Sequence, residues 1–380
     1  MSLTEVSPAG AAEVFARRTP TVGVEEEFLL LDPDSWLNVP LSAAARAALP
    51  PAVRERSRAE FRRSMLEMVS PVCSDLPQLR RHLLENRSAA ADAAAAVGAR
   101  LVAVAATPVG EPDRRVADTA RYHAIARHYG PIAHDPALCG CHVHVGVPDR
   151  ELAIQVCNGL RPWLPVVQAL TANSPFHDGA DTGHASWRSI ALERWPSLGP
   201  SPYLESARDY ERTVDELVAT GAMLDASLVL WWARPSSRYP TVEVRVSDVC
   251  PTADDAVLVA ALVRALVATV AADVAAGRPA PRLPDHLLRA AHWNAAHSGL
   301  DGTLTDLRSR TARPAWELVD DLVTTVGAAL DRHGDRAVVT EGLARLRTHG
   351  TGATRQRRAH AREAGLSGAL AGLATATTSG

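Results

Sequence analysis

Apolar and polar residues alternate with a period of two in several short stretches of this chain. Residues 21–32 read TVGVEEEFLLLD, where Val22, Val24, Phe28 and the three leucines that follow predict a buried strand. Glu25, Glu26 and Glu27 nevertheless occupy its middle. A period of two places Glu25 and Glu27 on one face and Glu26 on the other, with Val24 and Phe28. In LCGCHVHVGV (138–147) Cys141, Val143 and Val145 share one face, and His142, His144 and Gly146 share the opposite one. In PTVEVRVSDV (240–249) the valines form a dry face, and Thr241, Glu243, Arg245 and Ser247 form a polar one. LVLWWARP (228–235) predicts a strand beside it. AEFRRSMLEMV (59–69) predicts one more, carrying Glu60 and Glu67, which strict alternation sets on opposite faces unless a bend intervenes.

Between these strands the pattern predicts helices: one opened by Asp75-Leu76-Pro77 and running to about Val97, one over 149–172, one over 208–221, and a helical region from Ala253 onward broken by the turn GRPAPRLP. LVAVAATP (101–108) predicts a buried strand ended by Pro108. Strands through the first two thirds, with helices between and after them, predict an α+β fold. Residues 1–19 form a flexible arm, 20–364 a single domain and 365–380 a frayed tail in this reading. The start, MSLTEVSPAGAAEVFARR, lacks the apolar segment of a signal peptide, and the alanine-rich run 88–106 contains Asp92 and Arg100, so neither predicts a membrane span.

Composition changes this picture in two ways. The net charge of −3 gives no basic field for nucleic acid, and the chain contains no lysine, so its 40 basic residues are all arginine. Any phosphate or carboxylate must then be held by planar guanidinium forks. The cysteines Cys73, Cys139, Cys141, Cys157 and Cys250 are odd in number and scattered, which fits reduced thiols in a cytoplasmic protein better than a zinc site.

Burying one unpaired carboxylate costs several kcal/mol, and neighbouring like charges oppose ionisation further. Carboxylates on separate strands with a histidine form the hard, oxygen-rich donor set that suits Mg²⁺ or Mn²⁺. A divalent ion there would neutralise the glutamates. No GxxxxGK[ST] or GxGxxG occurs, so a nucleotide would be held by metal and arginine rather than by a glycine cradle.

GVEEEFLLLD, EFRRSMLE followed by SPVC, CGCHVHVGV, SWRS…RWP…GP, WWARP…TVEVRVSD and GATRQR occur in an order that resembles the ATP-dependent carboxylate-amine ligases of the glutamate–cysteine ligase type 2 group, relatives of glutamine synthetase in fold. The resemblance runs from about residue 20 to about residue 360. It implies a curved, mainly antiparallel sheet with helices on one face, and ATP with Mg²⁺ on the other. The γ-carboxylate of glutamate would be activated as an acyl phosphate and joined to the amine of cysteine or another amino acid. By motif, Glu25, Glu27, Glu60, Glu67, His142 and Glu243 resemble the metal-binding set. Arg245, with Glu243 and His144, resembles the catalytic group. Arg188 and Arg194 would receive the carboxylate substrate, and Arg234 and Arg357 the nucleotide. Relatives of this group imply a homo-oligomer. Two other classes share parts of the pattern: a metal-dependent amide hydrolase, which would need more histidines than the helical His286, His292 and His297 supply, and a non-catalytic nucleotide- or amino-acid-binding relative.

Overall fold

The structure is a computed structural model and describes residues 10, 12, 13, 15, 18–362 and 365–380. The expected arm, 1–19, falls largely outside the described residues. The main sheet contains β1 (Val22–Leu31), β2 (Ser57–Ala59), β3 (Met65–Val69), β4 (Arg100–Val102), β5 (Gly140–Gly146), β6 (Ala233–Pro235) and β7 (Thr241–Asp248). Their order is β6-β7-β5-β1-β3-β2, with β4 pairing the C-terminal end of β1, and every pair is antiparallel.

Alternation decides which face each strand buries. Val22 and Val24 of β1, Cys141, Val143 and Val145 of β5, and Val242, Val244 and Val246 of β7 form one core. Against it pack the helices Leu76–Ala96, Arg150–Leu160, Leu164–Thr171, Ala253–Ala275 and Ala315–His333. Ala253–Ala275 is the one helix among the described residues long and apolar enough to cross a membrane, and it is a core helix, with 78% of its most apolar window buried. The five cysteines are buried, unpaired thiols.

Glu26 faces this helical side and is fully buried. It meets Arg87 of the helix Leu76–Ala96, whose Nη2 and Nε donate to its two carboxylate oxygens at 2.6 and 3.1 Å. The remaining Arg87 hydrogens reach the carbonyls of Cys250, Pro251 and Thr377. One of the three consecutive glutamates is thus paired inside the core, and the other two are left for the opposite face.

The structure corrects four expectations. Residues 59–69 are not one strand: β2 and β3 form a hairpin, with Ala59 opposite Leu66, and the polar Arg62, Arg63 and Ser64 make its turn. The expected helix over 149–172 is two helices, because Pro162 has no N–H to continue the first ladder and Pro165 stands in the first turn of a new helix. A hairpin, Thr303–Asp306 with Thr311–Pro314, interrupts the C-terminal helices. The expected frayed tail is the helix Gly365–Thr377, which buries Ala369, Leu370 and Leu373 against the β1–β4 side of the core.

Removing one member of a buried pair leaves an uncompensated charge. Glu26→Ala is expected to cost on the order of 3–5 kcal/mol in denaturant unfolding, and Glu26→Ala combined with Arg87→Met to recover part of that loss.

Candidate active site

The polar face of the sheet carries its charges in rows fixed by strand register. Gly23, His144, Glu243 and Arg234 lie across β1, β5, β7 and β6 in one row. Glu25 and His142 are opposite one another in the next, and Glu27 and Glu67 in the row beyond. The ladder of β5 and β7 shifts register between Val244 and Ser247, a bulge that re-aims Arg245. The β2–β3 hairpin supplies the bend that brings Glu60 beside Glu67.

In the first row Glu243 is buried and gripped by two arginines. Arg234 Nε donates to it at 3.0 Å, and Arg245 Nη1 donates to its Oε1. Burial opposes its ionisation, but Arg245, Arg234 and the two histidines outweigh burial and hold it well below the usual carboxylate range. Glu25 is likewise held low: burial acts against it, and its contacts to His142 (3.2 Å) and His144 (3.3 Å) prevail. Glu60 and Glu67 have no such cations in contact among the described residues. Burial first, then the Glu27 carboxylate, raises Glu60 to about 8. Burial, then Glu60, Glu25 and Glu27, raises Glu67 well above its ordinary value.

The donor set fits a hard divalent cation. One ligand atom each of Glu25, His144 and Glu243 lies within 4.8 Å of the others. His144 Nδ1 meets Thr241 Oγ1 at 2.9 Å, and its buried Nε2 makes no hydrogen bond. With Nδ1–H donated to threonine, Nε2 would offer its lone pair to an ion held between it and Glu25, the arrangement common for a metal-binding imidazole. Geometry thus groups His144, rather than the expected His142, with the two carboxylates. His142 lies between Glu25 and Glu27, 3.2 and 3.9 Å away, with Arg245 Nη1 3.4 Å from its Nδ1.

Beside these rows a cavity of about 220 Å³ opens, lined by Glu27, Glu60, His142, Arg188 and Arg245 on the sheet side. Arg188 stands at the start of the helix Trp187–Leu192, its guanidinium buried. Its guanidinium makes long contacts, 3.4–3.5 Å to the carbonyls of Arg245 and Val246 and 3.8 Å to Asp248 Oδ1, and its Nε has no partner among the described residues. Asp248, at the end of β7, holds that helix in place by accepting from Ser186 Oγ and Ser174 Oγ, both at 2.8 Å, and from Asn173 N at 2.9 Å. A Cβ on Gly140 would run into Arg188 Nη2 and come within 3.0 Å of His142 Nε2, while the Gly140 N–H donates to Glu27 at 2.5 Å. The CGC stretch therefore matters for its glycine, not its thiols.

Some expected residues fall elsewhere. Arg234 reaches the site but is committed to Glu243 and the Val229 carbonyl. Arg194 is half-exposed at the rim, paired with Asp135 at 2.6 Å. Arg357 pairs with Asp181 and the His184 carbonyl and does not line the cavity. His292 is buried against Gln168, on a helix behind the sheet. Sequence reasoning missed Asp248, Thr241, Gly140 and Arg62. Asp248 breaks the alternation of β7 by falling at the position after Val242, Val244 and Val246 on the dry face, the signal that pointed to it.

A carboxyl raised in the native state binds a proton there that the unfolded chain has already lost, so stability falls as pH rises between the two values. Chelator-treated protein is expected to lose stability from about pH 5 to about pH 8, because Glu60 moves from 4.5 to about 8 on folding. Glu60→Gln should flatten that slope in thermal denaturation; an unchanged slope would contradict the assignment.

The glutamate–cysteine ligase family 2 matches the sequence over residues 21–375. A protein of Salinispora arenicola provisionally named glutamate–cysteine ligase 2 is 65% identical over 338 residues, covering 89% of this chain and 89% of its own. A similarly named protein of Mycolicibacterium vanbaalenii is 47% identical over 360 residues, covering 94% and 98%. Among solved structures, glutamate–cysteine ligase from Francisella tularensis, in complex with AMP, superposes with a TM-score of 0.69 at 12% identity, covering 95% of this chain and 88% of that one. A bifunctional glutathione synthetase from Pasteurella multocida gives 0.67 at 15% identity, covering 97% and 53%. The structural likenesses speak for the fold, and the sequence match speaks for more: the chain belongs to the glutamate–cysteine ligase family 2, ATP-dependent ligases that form γ-glutamyl amides.

Proposed function

We propose that this chain joins the γ-carboxylate of glutamate to an amine, with ATP consumed as a substrate, and that the rows of the polar sheet face divide the work. The observation that carries this reading is the clustering of five carboxylates, Glu25, Glu27, Glu60, Glu67 and Glu243, on one side of the sheet, where Glu27 and Glu60 line a cavity with the Arg188 and Arg245 guanidinium groups. Glu25, His144 and Glu243 would hold Mg²⁺ or Mn²⁺, with Glu27, Glu60, Glu67 and His142 as further donors. Such an ion supplies charge neutralisation to the triphosphate.

Arg188 has unfilled donor capacity and anchors a substrate carboxylate. A carboxylate oxygen attacks the γ-phosphorus, and the bond to the bridging oxygen breaks with ADP taking the electron pair. Arg245, fixed by Glu243, faces the negative charge that develops on the transferring group. The amine nitrogen then attacks the acyl carbon. The C–N bond forms, the C–O bond to phosphate breaks, and phosphate leaves with the proton the nitrogen gives up. Asp248 acts at one remove, by pairing with the Arg188 guanidinium at 3.8 Å and keeping its helix seated.

ADP release in the presence of ATP, Mg²⁺ and glutamate is expected to rise on addition of an amine, with a γ-glutamyl product detected by mass. Arg245→Gln should lower kcat by about 10²–10³-fold in protein whose circular dichroism shows the fold retained, because Arg234 still holds Glu243. Full turnover in that variant would contradict the role given to Arg245.

A further inference from the structure

The two walls of the cavity differ in chemistry. Besides Glu27, Glu60, His142, Arg188 and Arg245, the lining includes Phe61, Tyr122, Ile132, Trp195, Leu198 and Leu230. Their aromatic rings interlock: Phe61 meets Tyr122 edge-on at 5.4 Å and Trp195 at 6.0 Å. Tyr129 braces Trp195 from behind at 5.0 Å. A wall locked this way keeps its shape.

The polar atoms near this wall are already used. The Tyr122 hydroxyl donates to the Ala59 carbonyl at 2.9 Å, Tyr129 donates to the Ala222 carbonyl at 3.1 Å, and Ser197 donates to the Leu228 carbonyl. The Arg62 guanidinium, also in the lining, is spent on the carbonyls of Arg114, Ala133 and Asp135. Asp135, the carboxylate in this part of the lining, is paired with Arg194 at 2.6 Å, and the rest of this side offers mainly apolar surface. The Glu25–His144–Glu243 cluster lies to one side of the cavity, since none of the three is among the residues lining it. Between Arg188 and the aromatic wall, the remaining space suits the side chain of the nucleophile.

We propose that the amine accepted by this chain is a primary amine carrying an aromatic or branched apolar side chain, in place of the small thiol side chain of cysteine. The inference rests on the ligase reading above and concerns only its second substrate. Each methylene matched in an apolar pocket changes selectivity about 10- to 200-fold, so a side chain that fills the wall is expected to gain about 10²-fold or more in kcat/KM over cysteine.

The test uses the full chain with ATP, Mg²⁺ and glutamate, and compares cysteine, alanine, leucine, phenylalanine, isoamylamine and phenethylamine by mass detection of γ-glutamyl products. Preference for leucine or phenylalanine supports the proposal and identifies an amino acid. Preference for isoamylamine or phenethylamine supports it and identifies an amine without a carboxylate. Trp195→Ala and the milder Phe61→Leu should each raise KM for the preferred amine about tenfold or more, moving KM for ATP less than twofold. Preference for cysteine would overturn the proposal and leave the ligase reading intact. A rise in KM for ATP instead of the amine would also overturn it, by assigning the wall to the nucleobase. No glutamate-dependent ADP release with any amine would bring down the ligase reading and the proposal with it.

Discussion

Repulsion among carboxylates is the constraint on which this structure turns. Strand neighbours in an antiparallel sheet stand about 5 Å apart, and at that spacing the Glu27–Glu67 pair cannot be ionised without cost unless a cation intervenes. The fold meets the problem in three ways. Arg87 removes Glu26 to the other face. Arg234 and Arg245 compensate Glu243, and the histidines compensate Glu25. Glu60 and Glu67 are left without a cation in contact among the described residues and keep their protons above the usual range. That last group is a deficit of positive charge, which is what a site for a divalent ion requires.

The chemistry depends on how rigidly the sheet states this deficit. The register of β1 with β3 and β5 fixes the rows, and the helices behind fix the register, because a slip of one residue would turn Val22, Val24, Val143 and Val145 toward the cavity and the glutamates into the core. Arg87 ties the same helices to the C-terminal helix through the Thr377 carbonyl. The chain's end, distant in sequence from every charged residue of the site, therefore helps hold the strand on which the site is built.

Much of this was legible in the sequence. Alternation in β1, β5 and β7 separates dry from charged faces with no structure in hand, and the glutamates, histidines and Arg245 follow directly. The hairpin at Arg62–Ser64 was not legible, because FRRSM can continue an exposed strand as readily as it can turn, and only pairing of Ala59 with Leu66 decides. Arg87 was hidden for a different reason: its helix shows one arginine among several, and burial depends on a contact 61 residues away. Arg194, Arg234 and Arg357 were expected to serve ligands and instead form pairs with Asp135, Glu243 and Asp181. Their residue type suggested oxyanion binding, but pairing with a nearby protein carboxylate satisfies the same guanidinium chemistry.

On this account the polar face takes a divalent cation, and Glu60 and Glu67 hold protons until it comes. Calorimetric titration of Mn²⁺ into chelator-treated protein at neutral pH, repeated in buffers of different ionisation enthalpy, measures binding and proton release together. Saturable binding with net release of protons is the predicted result. No binding, or binding that releases none, would contradict the account.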